Sequence, residues 1–312
     1  MSLHWRPARK IRYKQDRRLQ RNKQLTSAMS CDSAFRAAAY GCLQEVIKNQ
    51  DSACDGDIEA LHCIRINLTR LRTLASFFSP IICKSQWLRL KRELKWLNGY
   101  LGAARDMDVL MVQFETNEAS QPDFSFYARE ARRKWISSRR RMTRAIGSQR
   151  YQQLIKNLLL WIEDEGRATT IPKKRDEPVA AYAARRLSRW QNKVLKKSQN
   201  LGSMDLEQLH SLRIATKRLR YAIEFFGSPI SPRHPEKQKA MLKHLRNAQE
   251  ALGSLNDAAR IHSLMSSFAK PPRAAARRRT VPFNKPLDDK EVKQLLRQAA
   301  SSYREMEHIK AF

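Results

Sequence analysis

Two stretches of this chain carry the same arrangement of histidine and arginine. His62, Arg65, Arg70 and Arg72 recur as His210, Arg213, Arg218 and Arg220, each 148 positions on, and the second copy adds Lys217 where the first has Thr69. A guanidinium grips phosphate oxygens in pairs through a planar fork and stays charged at any relevant pH. A row of such groups suits an extended polyanion better than a single reacting atom. From Arg65 to Arg72 a helix rises about 10 Å, enough to address several successive anionic units. No nucleophile paired with a base accompanies the row, so the chemistry it offers is binding rather than bond making.

The elements that must hold these residues can be read from the same repeat. Sliding the sequence by 148 lays Asp57–Phe78 on Asp205–Phe226, with eleven of 22 positions identical. Self-similarity at one fixed offset signals duplicated architecture. Asp57 and Asp205 suit an N-cap, and Glu59 and Glu207 put an acid in the first turn, where the helix dipole favours it. At 100° per residue Leu61, Ile64, Leu68, Leu71, Ala75 and Phe78 fall on one face, and His62, Arg65, Thr69 and Arg72 on another. One stripe packs and the other presents charge. A single basic stripe reads as a solvated face; its recurrence, headed by a histidine each time, argues for a ligand. His62 and His210 fit two roles, a core histidine satisfied by backbone carbonyls or an imidazolium on phosphate.

A further segment follows each copy. Lys91, Lys95, Asn98 and Arg105 share a face opposite the apolar stripe Trp87, Leu90, Leu94, Leu97 and Leu101, and Leu245 with Arg246 begins the second version. Gly102 and Gly253 fit the left-handed position that ends a helix, which predicts breaks after residues 101 and 252. Asp106, Asp108 and Asp257 read as counter-charges that pair with and orient neighbouring arginines. A metal held by Asp106 and Asp108 is disfavoured, because i and i+2 positions diverge on a helix.

Composition agrees with a binder of anions. The 312 residues carry 61 Lys and Arg against 30 Asp and Glu, a formal charge of +31, and such an excess points to a polyanionic partner. Hydrophobic residues make up 42%, so the chain folds rather than remaining a basic tail. The longest clean apolar run, Leu158–Ile162, falls far short of the ~18 residues of a membrane span. The chain thus reads as soluble, unsecreted and cytoplasmic, with no membrane partner. Five cysteines, Cys31, Cys42, Cys54, Cys63 and Cys83, show no zinc-site spacing and read as reduced thiols. Nine glycines, no Gly-rich phosphate loop and no alternating β-branched runs leave an all-α fold, with no cofactor implied.

Residues 1–27 form a basic arm, nine Lys and Arg from Arg6 to Lys23 against Asp16 alone; a transit peptide has similar composition, but the amphipathic stripe here is weak. Helices are predicted near 28–49, 57–79, 84–101, 104–118, 123–146 and 148–166, then 179–200, 205–227, 235–252 and 255–268. Ala168–Pro178 separates a first half, 28–170, from a second, 171–312. Lys270–Pro286 reads as a basic loop. A last helix near 288–310 spaces Val292, Leu295, Leu296, Ala299, Tyr303 and Met306 as one docking stripe.

These residues resemble the CHAD family, the conserved histidine α-helical domain. The matching motifs are His-x-x-Arg-Ile followed by Arg-Leu-Arg at 62–72 and 210–220, Leu-Gly-x-x-Arg-Asp-x-Asp-Val at 101–109 and Leu-Gly-x-x-Asn-Asp at 252–257. The resemblance spans roughly residues 28–310. It implies two pseudo-symmetric four-helix bundles around a central basic pore, and binding of inorganic polyphosphate there, with phosphate or sulfate able to substitute. Carried over, the basic motif falls on His62, Arg65, Arg70, Arg72, Lys95, Arg105, His210, Arg213, Lys217, Arg218, Arg220 and Arg246, and Lys91 joins them from the shared face. Thr69 departs from the basic pattern.

Three other readings use the same residues. A nucleic-acid binder would exploit the cations for phosphate contact, nonspecifically and through the basic arms, but needs stacking or base-reading groups beside them; Trp87, Trp96, Trp161 and Trp190 fall in apolar helical patterns and are expected in the core. An enzyme is suggested by the frequent fusion of this family to triphosphatase-type domains, and Glu163, Glu165 and Arg167 imitate the alternating spacing once, in a helical context. A structural protein that coats polyphosphate granules overlaps with the binding reading.

Overall fold

The computed structural model describes residues 25–117, 124–163, 175–227, 235–266, 268, 288–309 and 312. The basic arm up to Lys23 and the basic segment Lys270–Pro286 lie outside the described residues. What is described is helical, with one isolated bridge between Ser30 and Pro178. The helices are α1 (Cys31–Lys48), α2 (Gln50–Cys54), α3 (Ile58–Phe77), α4 (Lys84–Asn117), α5 (Phe124–Ile146), α6 (Gln149–Glu163), α7 (Val179–Ser198), α8 (Leu206–Phe226), α9 (Pro235–Ser266) and α10 (Asp289–Glu307). The all-α expectation is met.

The repeated helices start where their caps place them. Asp57 accepts from the backbone N–H groups of Glu59 and Ala60 at the head of α3. Asp205 and Gln208 form a reciprocal capping box on α8, and Asp288 and Glu291 form one on α10. Each arrangement satisfies N–H groups that have no partner inside the helix.

Two predicted breaks are absent. α4 runs unbroken through Gly102, and α9 through Gly253. Both glycines have right-handed backbone angles; among the described residues only Gly56 has a positive φ, 109°, at the turn between α2 and α3. Thirty-four and 32 residues therefore form two long helices rather than four short ones.

The helices fall into two compact units. The first gathers α1 to α6 from Asp32 on, save the first turn of α5. Its core takes Leu61, Ile64, Leu68 and Leu71 from α3 and Leu94, Leu97 and Leu101 from α4, each at most 2% exposed. Phe35 meets Phe78 and Trp161 edge to face, at 5.7 and 5.2 Å between centroids. The second unit holds α7 to α10, with Leu219, Phe226, Met241, Leu245 and Met306 in its core. The last helix docks there as its stripe predicts: Ala299, Tyr303 and Met306 are buried, and the Tyr303 hydroxyl lies 2.6 Å from the Thr216 hydroxyl on α8.

A candidate anion-binding site on paired helices

The apolar faces of α3 and α4 pack on each other, which leaves the basic faces of both helices beside one another at the surface of the first unit. His62, Arg65 and Arg72 on α3 and Arg105 on α4 are half-buried; Lys91 and Lys95 on α4 are exposed. Thr69, the departure from the basic pattern, donates its hydroxyl to the Arg65 carbonyl and so bonds back to its own helix.

Two arginines of α3 reach α4 directly. Arg72 Nη2 donates to the Leu94 carbonyl at 2.6 Å. Arg65 crosses α4 at Gly102, where its Nη1 lies 3.2 Å from the position a Cβ would take. The glycine is thus a place of close approach rather than a helix end. Arg70 lies about 140° round α3 from Arg65; burial pushes the Cys42 thiol of α1 up to about 12, against the lowering effect of the Arg70 charge.

α8 and α9 repeat the pattern in the second unit. His210 Nδ1 donates to Asn256 Oδ1 at 2.8 Å. Arg213 lies over Gly253, its Nε 3.9 Å from the Cβ position. Lys217 and Arg220 sit over the ring of buried Tyr221, at 5.6 and 4.6 Å. Arg220 is further tied, with Nε donating to Gln249 Oε1 at 2.9 Å and Nη1 to Glu224 Oε1 at 2.5 Å. Arg218 and Arg246 are exposed. Each unit therefore brings predicted cations together on one helix pair, with Arg70 and its counterpart Arg218 set apart on another face of α3 and α8.

Sequence reasoning missed the partners. Asp108, fully buried, accepts from Arg139 Nε at 3.0 Å and Nη2 at 2.7 Å, and from the Trp135 indole N–H at 2.8 Å. The expected counter-charge role is present, but with an arginine of α5 31 residues away. No local spacing signals that pairing. Glu224 is also new, although the alignment of the two copies marks it, since the first copy has Ser76 there.

The tryptophans correct another expectation. Trp161 is buried, but Trp87, Trp96 and Trp190 are only half-buried. Trp87 stacks on Trp161 at 5.3 Å, Trp96 lies under Arg150 at 4.3 Å and Trp190 under Arg186 at 5.9 Å. Arginine planes satisfy these rings at the surface. A concavity of about 610 Å³ beside the start of α8 is lined by Lys197, Asp205 and Gln208, among others, and by none of the ridge cations. Among the described residues no helix is long and apolar enough to cross a membrane.

The doubled helix pair with its histidine-led arginine row matches a known family model, the CHAD domain, over residues 37–266. The chain belongs to the CHAD domain family. The crystal structure of the CHAD domain from the plant Ricinus communis is similar to it with a TM-score of 0.73 and 26% identity, covering 92% of this chain and 95% of that one. PptA from Streptomyces chartreusis shares the fold at a TM-score of 0.51 and 15% identity, over 90% of this chain and 97% of that one. No curated protein sequence matches. The CHAD match covers both ridges, from α3 to the end of α9.

Proposed function

We propose that this CHAD protein binds inorganic polyphosphate, without catalysis, through the ridge that each helix pair presents. The observation that carries the reading is the duplicated crossing of Arg65 over Gly102 and Arg213 over Gly253, which holds a cationic row in the same setting twice. Polyphosphate is a flexible rod of charge with no base to read. Its receptor needs dense donors in a row and little else, and arginines fixed by a neighbouring helix bind with less entropy to lose. The protein acts in the cytoplasm and on polyphosphate granules, and phosphate or sulfate occupies the same donors.

Competition tests this reading. Long-chain polyphosphate bound to the protein is challenged with equal phosphate equivalents of DNA; retention supports the proposal, and displacement favours nonspecific nucleic-acid binding. Replacing Arg65, Arg72, Arg213 and Arg220 together by alanine abolishes binding, whereas removing residues 1–27 weakens it only in part. Incubation with tripolyphosphate or nucleotides and a divalent metal releases no phosphate; release would make the protein an enzyme.

A further inference from the structure

The solvent face of α5 carries a row of arginines outside both ridges. Arg129, Arg132, Arg133, Arg140, Arg141 and Arg144 are all exposed. None has an acidic partner within 4.0 Å among the described residues; ion pairs of the first unit include those of Arg36, Lys48, Arg139, Arg150 and Arg175. At 100° per residue Arg129, Arg133, Arg140 and Arg144 fall within one 60° strip, about 22 Å long.

Folding does not account for this row. α5 is held by its opposite face, through buried Ala131, Ser138, Met142 and Ala145 and the Arg139–Asp108 pair. Like charges three and four residues apart destabilise a helix, and an anion lying along the strip removes that repulsion. The strip has no exposed large apolar side chain, so it has nothing to insert into a bilayer. The tryptophan of α5, Trp135, lies off the strip and half-buried, with the Arg139 guanidinium over its ring at 5.8 Å. Donors without stacking groups fit a phosphate chain that has no bases. One buried pair ties the two helices together: Asp108, one turn past ridge residue Arg105 on α4, holds Arg139 on the packed face of α5, whose other face carries the strip.

We infer that the α5 strip is a second contact for polyphosphate, reached only by chains that run beyond the α3–α4 ridge, so that affinity grows with chain length. This rests on the polyphosphate reading above. The test uses the full chain with Arg133, Arg140 and Arg144 changed to glutamine, and a control with Lys290→Gln, Lys293→Gln and Arg297→Gln, which removes the same charge from exposed positions of α10. Tripolyphosphate and long-chain polyphosphate are titrated over a salt series. In the α5 variant, long-chain affinity is expected to fall about tenfold with a shallower salt dependence, while tripolyphosphate affinity and the control stay at the level of the unsubstituted protein. Unchanged long-chain binding, or equal losses for both ligands or in the control, would each overturn the inference. Failure of the unsubstituted protein to bind either polyphosphate would instead remove the functional reading beneath it.

Discussion

Arg65 Nη1 on α3 lies 3.2 Å from the point where a Cβ on Gly102 of α4 would stand. The equivalent separation in the other unit, from Arg213 Nε to the Cβ position of Gly253, is 3.9 Å. Both glycines sit inside long helices, where glycine is otherwise unfavourable relative to alanine. At Gly102 the missing side chain leaves room for a guanidinium.

Gly253→Ala is therefore expected to stabilise the protein by about 0.5–1 kcal/mol, because the added methyl meets only an ordinary contact. Gly102→Ala gains less, since the Arg65 fork must yield by a few tenths of an ångström, and polyphosphate affinity falls with it. Urea unfolding and ligand titration of the two variants separate the effects. Equal behaviour would mean that the closer crossing has no consequence.

Asp108→Ala leaves Arg139 as a buried charge without its carboxylate. Removing one partner of a buried pair costs about 3–5 kcal/mol, and the midpoint of denaturant unfolding should drop accordingly. Replacing Asp108 and Arg139 together by apolar residues should recover most of the loss. If the double variant is as unstable as the single one, Trp135 or the Ala53 carbonyl, which also accepts from Arg139, is the more important partner.

Glu224 already accepts from Arg220 Nη1, a donor that a phosphate oxygen would otherwise take. Serine stands at the matching place in the first copy, Ser76. Glu224→Ser is expected to tighten polyphosphate binding severalfold, and Ser76→Glu to weaken it. Titrations at fixed ionic strength read both, and weaker binding by a folded Glu224→Ser protein would show that the carboxylate positions Arg220 rather than competing for it.

Alkali should destabilise the first unit through Cys42. Burial raises this thiol from 9.0 to about 12 in the folded protein, so the unfolded chain loses its proton first. Stability is complete below pH 9 and declines from there towards pH 12. Cys54, raised by burial to about 11, adds to the same slope, and burial also raises Tyr182 and Tyr303 above their usual value of 10.0. Melting temperatures between pH 8 and 10 should fall less steeply in Cys42→Ala than in the unsubstituted protein.

The helical fold and the composition of both ridges were legible because they depend on local periodicity. A 3.6-residue repeat of leucines fixes which face of α3 packs, and the basic face follows without knowledge of any neighbour. Aspartate caps placed the starts of α3 and α8 for the same reason. The glycines misled, since a glycine that ends a helix and one that admits a side chain look alike in one dimension. Arg70 was grouped with the ridge by its place in the motif, yet it stands about 140° round the helix from Arg65 and about 160° from Arg72.

By itself, then, the amino-acid sequence determined an all-α duplicated chain whose excess of positive charge gathers on repeated amphipathic helices, because those properties are summed along the chain. Only the tertiary structure decided which partners hold the arginines: Leu94 for Arg72, Gln249 and Glu224 for Arg220, and Asp108 for Arg139. Hydrogen bonds reach about 3 Å, and whether two helices distant in sequence come that close is settled by how their apolar faces pack.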